Sequence, residues 1–346
     1  MPAGNLQGAV QASLFEGLDA DALDYVLRIA RRHEFEAGAL LVRQGQPADS
    51  ALILEHGRAR VMTALPGGGE TAVAELGPGS VLGETALLES GVRSANVVAM
   101  EHIACCSIER DAFRMLIAQR NSAALAINHR IALALCARLR ELNAKIIANS
   151  EPAHLAHVSV AAGGRQRMPC DFEWRAYLPK LAVFRHFRPE DIDELAAVAR
   201  VFDVPRGALL FESGEPGAAG YIVVRGALEI IRNDDGAGKR IGILGPGRLC
   251  GILALIEGAR HSMSAAAREH TTLMEISAAE FMRFYGGEAK ASLKFQQSIH
   301  QELLQALART NNHLTRLISQ ARIRNHSSAH ELQCALSGQD CRASNI

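Results

Sequence analysis

Two copies of one jelly-roll β-barrel, each flanked by helices, make the mainly β fold class that this sequence predicts, and three observations carry it. Short β-rich segments alternate with glycine turns through the first third of the chain. A set of landmark residues then recurs about 169 positions later. Each β-rich series is followed by a long stretch whose apolar residues fall at helical spacing. At 346 residues there is room for two or three domains. A hydrophobic content of 48% with 21% charged residues describes a folded chain.

From Leu14 to Arg32 the pattern places Leu23, Val26, Leu27 and Ala30 at helical spacing behind Asp19, a plausible N-cap, and predicts a leading helix. Candidate strands follow at Leu40 to Val42, Ala51 to Leu54, Arg58 to Met62, Thr71 to Leu76 and Ile103 to Ile108. They are punctuated at Gly38, Gly45, Gly57, Gly67-Gly68-Gly69 and Gly77-Pro78-Gly79. Asp111 opens a change of period. Ile127, Ile131, Leu135, Leu139, Leu142 and Ile146 then make one apolar stripe. That stripe either folds over its own barrel or forms the seam of a homodimer through helix 121–148. Residues 151–170, rich in proline, glycine and small residues, read as a linker.

Between Leu82 and Ala95 the strand series is interrupted by Gly83-Glu84-Thr85-Ala86-Leu87-Leu88, followed by Arg93-Ser94-Ala95. A helix start offers unpaired N–H groups and a positive dipole end to an anion. Arg93 adds a permanently charged planar fork suited to a phosphate. Glu84 would repel a phosphate and is an acceptor in want of a donor, which a sugar hydroxyl supplies. The stretch therefore reads as a pocket for a small molecule carrying both phosphate and ribose.

Gly83, Glu84, Ala86, Leu87, Leu88, Arg93, Ala95 and Val97 fall at the spacing G-E-x-A-L-L-x(4)-R-x-A-x-V. This resembles the phosphate-binding cassette of cyclic nucleotide-binding domains, as found in cyclic AMP receptors and kinase regulatory subunits. The resemblance implies that Glu84 holds the ribose 2′-hydroxyl, that Arg93 pairs with the cyclic phosphate, and that amides near Ala86 and Leu87 complete the cradle. It also implies that the helix after the barrel is the moving part. The ligand implied is cAMP or cGMP, with a slight lean to cAMP, because Ser94 is compatible with either.

The repeat brings a second cassette. Phe15, Gly38, Gly45 and Gly57 recur as Phe184, Gly207, Gly214 and Gly226, and Leu76-Gly77-Pro78-Gly79 as Leu244-Gly245-Pro246-Gly247. In register, Gly83 to Val97 faces Gly251 to Ala265. Ile252 therefore stands for Glu84 and His261 for Arg93, within a frame kept by Gly251, Ala254 and Leu255. Isoleucine accepts no hydrogen bond, and an ordinary histidine is mostly neutral at pH 7. Residues Gly251, Ile252, Leu253, Ala254, Arg260, His261 and Ser262 form this degenerate second site, with Arg260 one residue early for the arginine's role. The domain division that follows is 1–150 with an intact cassette, 171–324 with a degenerate one, and 325–346 as a disordered tail.

Residues 288–324 form a second helical stretch, with Phe295, Ile299, Leu303, Leu307, Leu314 and Ile318 on or near one stripe and Lys290, Lys294, Arg309, Arg316 and Arg322 off it. It reads first as the second copy's own post-barrel helix and alternatively as a homodimer or partner helix. A net charge of zero lacks the basic footprint of a nucleic-acid binder. No run of 18 apolar residues suggests a membrane span, and the N-terminus lacks the features of a signal peptide, leaving the cytoplasm as default. Seven cysteines, odd in number and without a C-x-x-C pair, read as reduced structural thiols, and neither a metal site nor a catalytic residue is expected. His56 alone hints at a metal-binding cupin, but its neighbour Glu55 should point to the opposite face of a strand. The sequence thus predicts a non-enzymatic cyclic nucleotide sensor that engages a separate protein effector. A constitutive scaffold and a DNA-binding regulator using the basic terminal helix are the alternatives.

Overall fold

The computed structural model describes residues 20–64, 70–149, 165–234 and 237–337, together with Phe15 and Leu18. The chain forms two compact units, 1–134 and 135–346.

In the first unit a leading helix α1 (Ala20–Arg28) is followed by ten strands: β1 (Arg31–Phe35), β2 (Leu40–Val42), β3 (Pro47–Ala48), β4 (Ser50–His56), β5 (Ala59–Ala64), β6 (Glu70–Leu76), β7 (Val81–Leu82), β8 (Gly91–Val92), β9 (Asn96–Ala99) and β10 (Ile103–Glu109). They pair as two four-stranded antiparallel sheets, β1-β10-β4-β7 and β2-β9-β5-β6, with a short β3-β8 ladder beside them. Leu52, Leu54 and Cys105 from one sheet meet Val42, Ala59 and Val97 from the other in a common core. All five strands expected from the sequence are present. The expected helix ends earlier than Arg32, because Arg31 and Arg32 pair with Ser107 and Cys106 across the sheet. That long-range ladder outweighs local helix propensity. The expected N-cap Asp19 lies outside the described residues.

The second unit repeats the plan. After the short β11 (Met168–Pro169) and α4 (Pro189–Val198) come β12 (Arg200–Val204), β13 (Leu209–Phe211), β14 (Ala219–Arg225), β15 (Leu228–Asp234), β16 (Ala237–Leu244), β17 (Leu249–Cys250), β18 (Ser264–Ala267) and β19 (Thr271–Ser277). The sheets are β11-β12-β19-β14-β17 and β13-β18-β15-β16. Phe202, Tyr221 and Leu273 meet Leu210, Phe211 and Leu228 between them. The repeat has a backbone reason. Gly38, Gly45, Gly57, Gly79 and Gly83, and their counterparts Gly207, Gly214, Gly226, Gly247 and Gly251, all have positive φ. At Gly57 a Cβ would also stand 2.3 Å from the His102 carbonyl oxygen, and at Gly226 2.5 Å from that of His270.

Helices α2 (Arg110–Ala118) and α3 (Ser122–Asn149) follow the first barrel. Ile127, Ile131, Leu135, Leu139, Leu142 and Ile146 are all buried, so the stripe is covered within a single chain. The unit boundary falls inside α3 rather than near residue 150. Leu142 and Ile146 pack with Ile241 and Leu314, which draws the end of the helix into the second unit. Residues 150–164 of the expected linker lie outside the described residues.

After the second barrel, α5 (Ile252–Ile256) having preceded β18, come α6 (Ala278–Tyr285) and α7 (Lys290–Ser337). Phe295, Ile299 and Leu303 of α7 are buried, and Phe295 meets the rings of Phe281 and Phe284 at 5.3 and 5.8 Å. The backbone stays helical to Ser337, past Arg324 where the sequence reading begins a disordered tail. The run His330-Glu331-Leu332-Gln333 and Ala335-Leu336 contains good helix formers and no proline or glycine to stop it. Residues 338–346 and the Ile318 side chain lie outside the described residues. No described helix is long and apolar enough to cross a membrane.

Candidate functional site

Strand β7 pairs with β4 through Leu52 and Leu82 and so delivers Gly83 to the head of the cassette. Gly83 turns the chain at φ 69° and ψ 35°, and a 3-10 turn follows over Glu84–Leu87. The Ala86 N–H donates to the Gly83 carbonyl at 2.9 Å, and those of Leu88 and Glu89 both donate to Thr85 at 3.1 Å. The amides of Glu84 and Thr85 precede the first bonded one, at the turn's start, where an anion is favoured. Ala86 and Leu87 are buried and anchor the turn.

Arg93 is held at both ends of its peptide. Its N–H donates to the Gln46 carbonyl at 2.8 Å, and its own carbonyl accepts from the Gly45 N–H at 2.9 Å. Its side chain returns to the turn: Nη2 donates to Ser50 Oγ at 3.2 Å. Nη1 stands where a Gly83 Cβ would be, at 2.1 Å from that position. Burial pulls the guanidinium pKa below its ordinary value and Asp49 opposes the shift, but an arginine stays charged. Glu84 is half-buried and makes no hydrogen bond or ion pair with any described residue. Gly83, Glu84, Thr85, Ala86, Leu87 and Arg93 are thus brought together. Ala95 is half-buried beside them, and Ser94 is exposed. Ser50 and Asp49 are not legible in the sequence, since they lie 43 and 44 residues from Arg93, at the start of β4 and in the link before it.

The second cassette copies the frame. Gly251 turns at φ 81°, and α5 follows in place of the 3-10 turn. The Gly214 N–H donates to the His261 carbonyl at 2.8 Å, and the His261 N–H donates to Glu215 at 2.8 Å. These are the two bonds that Arg93 makes in the first copy. His261 is only 7% exposed and stacks on Phe211, ring centroids 3.8 Å apart and planes 13° apart. Burial lowers its pKa, Glu215 opposes, and Arg140 adds to the lowering, so the imidazole is neutral at pH 7. Ile252 and Ala254 are buried, and Leu253 and Ser262 are half-buried. Arg260 does not take over the arginine's place. It is exposed, and its Nη1 donates to the Gly214 carbonyl at 2.7 Å, because adjacent residues of an extended segment face opposite ways.

Cys105, Cys106, Cys136 and Cys250 are buried free thiols whose pKa values burial raises, the first to about 11 and the others to about 12. They are protonated and unreactive at neutral pH. His56 is exposed at the end of β4, and among the described residues no group of three or more metal-ligating side chains converges.

The family model for the cyclic nucleotide-binding domain matches residues 32–120 and 201–287, one span in each barrel. The chain is 32% identical over 133 residues to a cyclic AMP receptor protein of Thermus thermophilus, covering 38% of this chain and 60% of that protein. It is 24% identical over 265 residues to a cAMP-dependent protein kinase regulatory subunit of Mycosarcoma maydis, covering 73% of this chain and 42% of that one. The chain thus spans less than two thirds of the length of either relative. A structure of the regulatory domain of Toxoplasma gondii PKA with cAMP aligns over 82% of this chain and 91% of its own, at 20% identity and a TM-score of 0.31. With both matched spans falling on the two β-barrels, the chain belongs to the cyclic nucleotide-binding domain family and carries that domain twice.

Proposed function

We propose that the chain is a cyclic nucleotide sensor that binds its ligand in the first domain. The observation that carries this reading is the pairing of a half-buried Arg93 guanidinium, poised over Gly83, with a Glu84 carboxylate; among the described residues the first has only the Ser50 hydroxyl as side-chain acceptor and the second has no partner. A cyclic phosphate answers the first and a ribose 2′-hydroxyl the second. The turn amides add to the phosphate cradle. The bacterial relative's name, a cyclic AMP receptor, supports cAMP slightly over cGMP.

Signalling in this reading runs through α3. Ligand binding changes the equilibrium position of the stretch from Asp111 to Ser150, and a separate protein reads the change. The role is regulatory, without catalysis by this chain. The alternative of DNA binding through a basic terminal helix is disfavoured by where its charges go. Two of its five cations are answered within the fold, Lys294 by Asp191 and Arg309 by Glu302 at 2.7 Å.

Isothermal calorimetry with cAMP, cGMP and cyclic di-GMP tests the reading. One cyclic mononucleotide site per chain is expected, abolished or strongly weakened by Arg93→Ala. Binding as tight in that variant as in the parent protein would remove the phosphate assignment.

A further inference from the structure

The second unit holds a half-open cleft of about 310 Å³, a size at the lower end of small-molecule sites. The degenerate cassette forms one side of it through Gly251, Ile252 and His261. The β-sheet supplies Ile230 and Ile241, and α3 and α7 cover it with Leu139 and Leu303. Isoleucine at the place of the ribose-binding carboxylate makes the wall apolar where the first domain's is charged.

Every permanently charged side chain on the wall is already paired. Arg140 Nε donates to Glu257 at 2.6 Å. Arg309 donates to Glu302 at 2.7 Å, and Glu302 also accepts from Arg248 at 3.1 Å. An incoming phosphate would have to break one of these pairs against a largely apolar wall, which costs more than it returns. A ribose would find no free carboxylate, since Glu302 already accepts from Arg248 and Arg309. What the wall does offer is apolar surface, the stacked Phe211–His261 pair, and a few hydrogen-bonding groups in Asn143, Ser262 and Thr310.

We infer that the second domain binds a neutral, largely apolar small molecule in the cleft between its cassette, α3 and α7. The ligand packs against Leu139, so its occupancy is linked to the position of α3. This inference does not rest on which nucleotide the first domain binds.

Two fluorescent dyes of one scaffold test it on the full chain. N-phenyl-1-naphthylamine is neutral, and 1-anilinonaphthalene-8-sulfonate adds a single sulfonate. One saturable site per chain is expected for the neutral dye, at least tenfold tighter than for the sulfonate and still present at saturating cAMP. Ala306→Phe and Thr310→Phe, which fill the cleft from α7, should each weaken it at least tenfold, with circular dichroism melting confirming that each variant is folded. The ratio between the dyes needs no variant at all. Equal affinity for the two dyes, no saturable binding of the neutral one, its displacement by cAMP, or parent-like binding in both folded variants would overturn the inference.

Discussion

At Gly83 and at Gly251 the chain makes the same left-handed turn into a short helical segment, and at Arg93 and His261 it closes the same pair of backbone hydrogen bonds onto the neighbouring loop. The side chains hung on that shared frame then part ways. Arg93 reaches back over its glycine to meet a single hydroxyl, while His261 lies flat against Phe211. Glu84 is half-buried with no described partner, and Ile252 is 2% exposed in an apolar wall. The difference teaches that backbone geometry, held by glycine φ angles and amide bonds, persists when the side chains on it are exchanged. Two of those exchanges, Glu84 to Ile252 and Arg93 to His261, replace charged groups by an apolar one and an imidazole.

The largest effect should come from forcing the second cassette toward the first. Ile252→Glu buries a carboxylate without a partner and should destabilise the second domain by about 3–5 kcal/mol in chemical denaturation. Adding His261→Arg should recover part of that loss and confer cyclic nucleotide binding weaker than the first site's; no recovery would mean that the frames differ by more than two residues. In the first cassette, Arg93→Ala should cost about 2–5 kcal/mol of nucleotide affinity by calorimetry. Unchanged affinity there would dissolve the contrast. Glu84→Gln keeps the shape and removes the charge from the hydroxyl contact, for a loss of about 1.5–3 kcal/mol with the same ligand.

The smallest effect is a pH dependence confined to the second cassette. His261 has a folded pKa below its ordinary value, so the unfolded chain takes up the proton first as pH falls. Stability is fully present above about pH 6.5 and declines below it, by at most about 1.4 kcal/mol per pH unit, down to the folded pKa. Melting temperatures of the parent protein and His261→Gln between pH 7.5 and 5 should converge toward the acid end. Parallel curves would show that folding leaves the His261 pKa unshifted.

Much of this was legible in the residues. The five strands read from the sequence are all present, since short β-rich runs between glycines leave few other options. The missed strands, such as Pro47–Ala48 and Gly91–Val92, are two residues long and exist only by pairing with each other. Arg31 and Arg32 were read as helix because their local context is helical, and the sheet claimed them. The apolar stripe on α3 was recognised, but not its cover. The division of α3 between two units was likewise hidden, because Ile241 and Leu314, on which its end packs, are about a hundred residues or more away in sequence.

By itself, the sequence determined the duplication, the turns and the identity of the residues at the head of each cassette. These depend on φ angles that only glycine adopts freely and on spacing within a single loop. The tertiary structure alone decided where each of those side chains went. Whether Arg93 meets Ser50, whether Arg260 faces the Gly214 carbonyl, and whether the second cassette lines a cleft under α3 and α7 are set by groups brought together across long stretches of chain. Burial and electrostatics at those meetings are properties of the packed fold, and no local pattern encodes them.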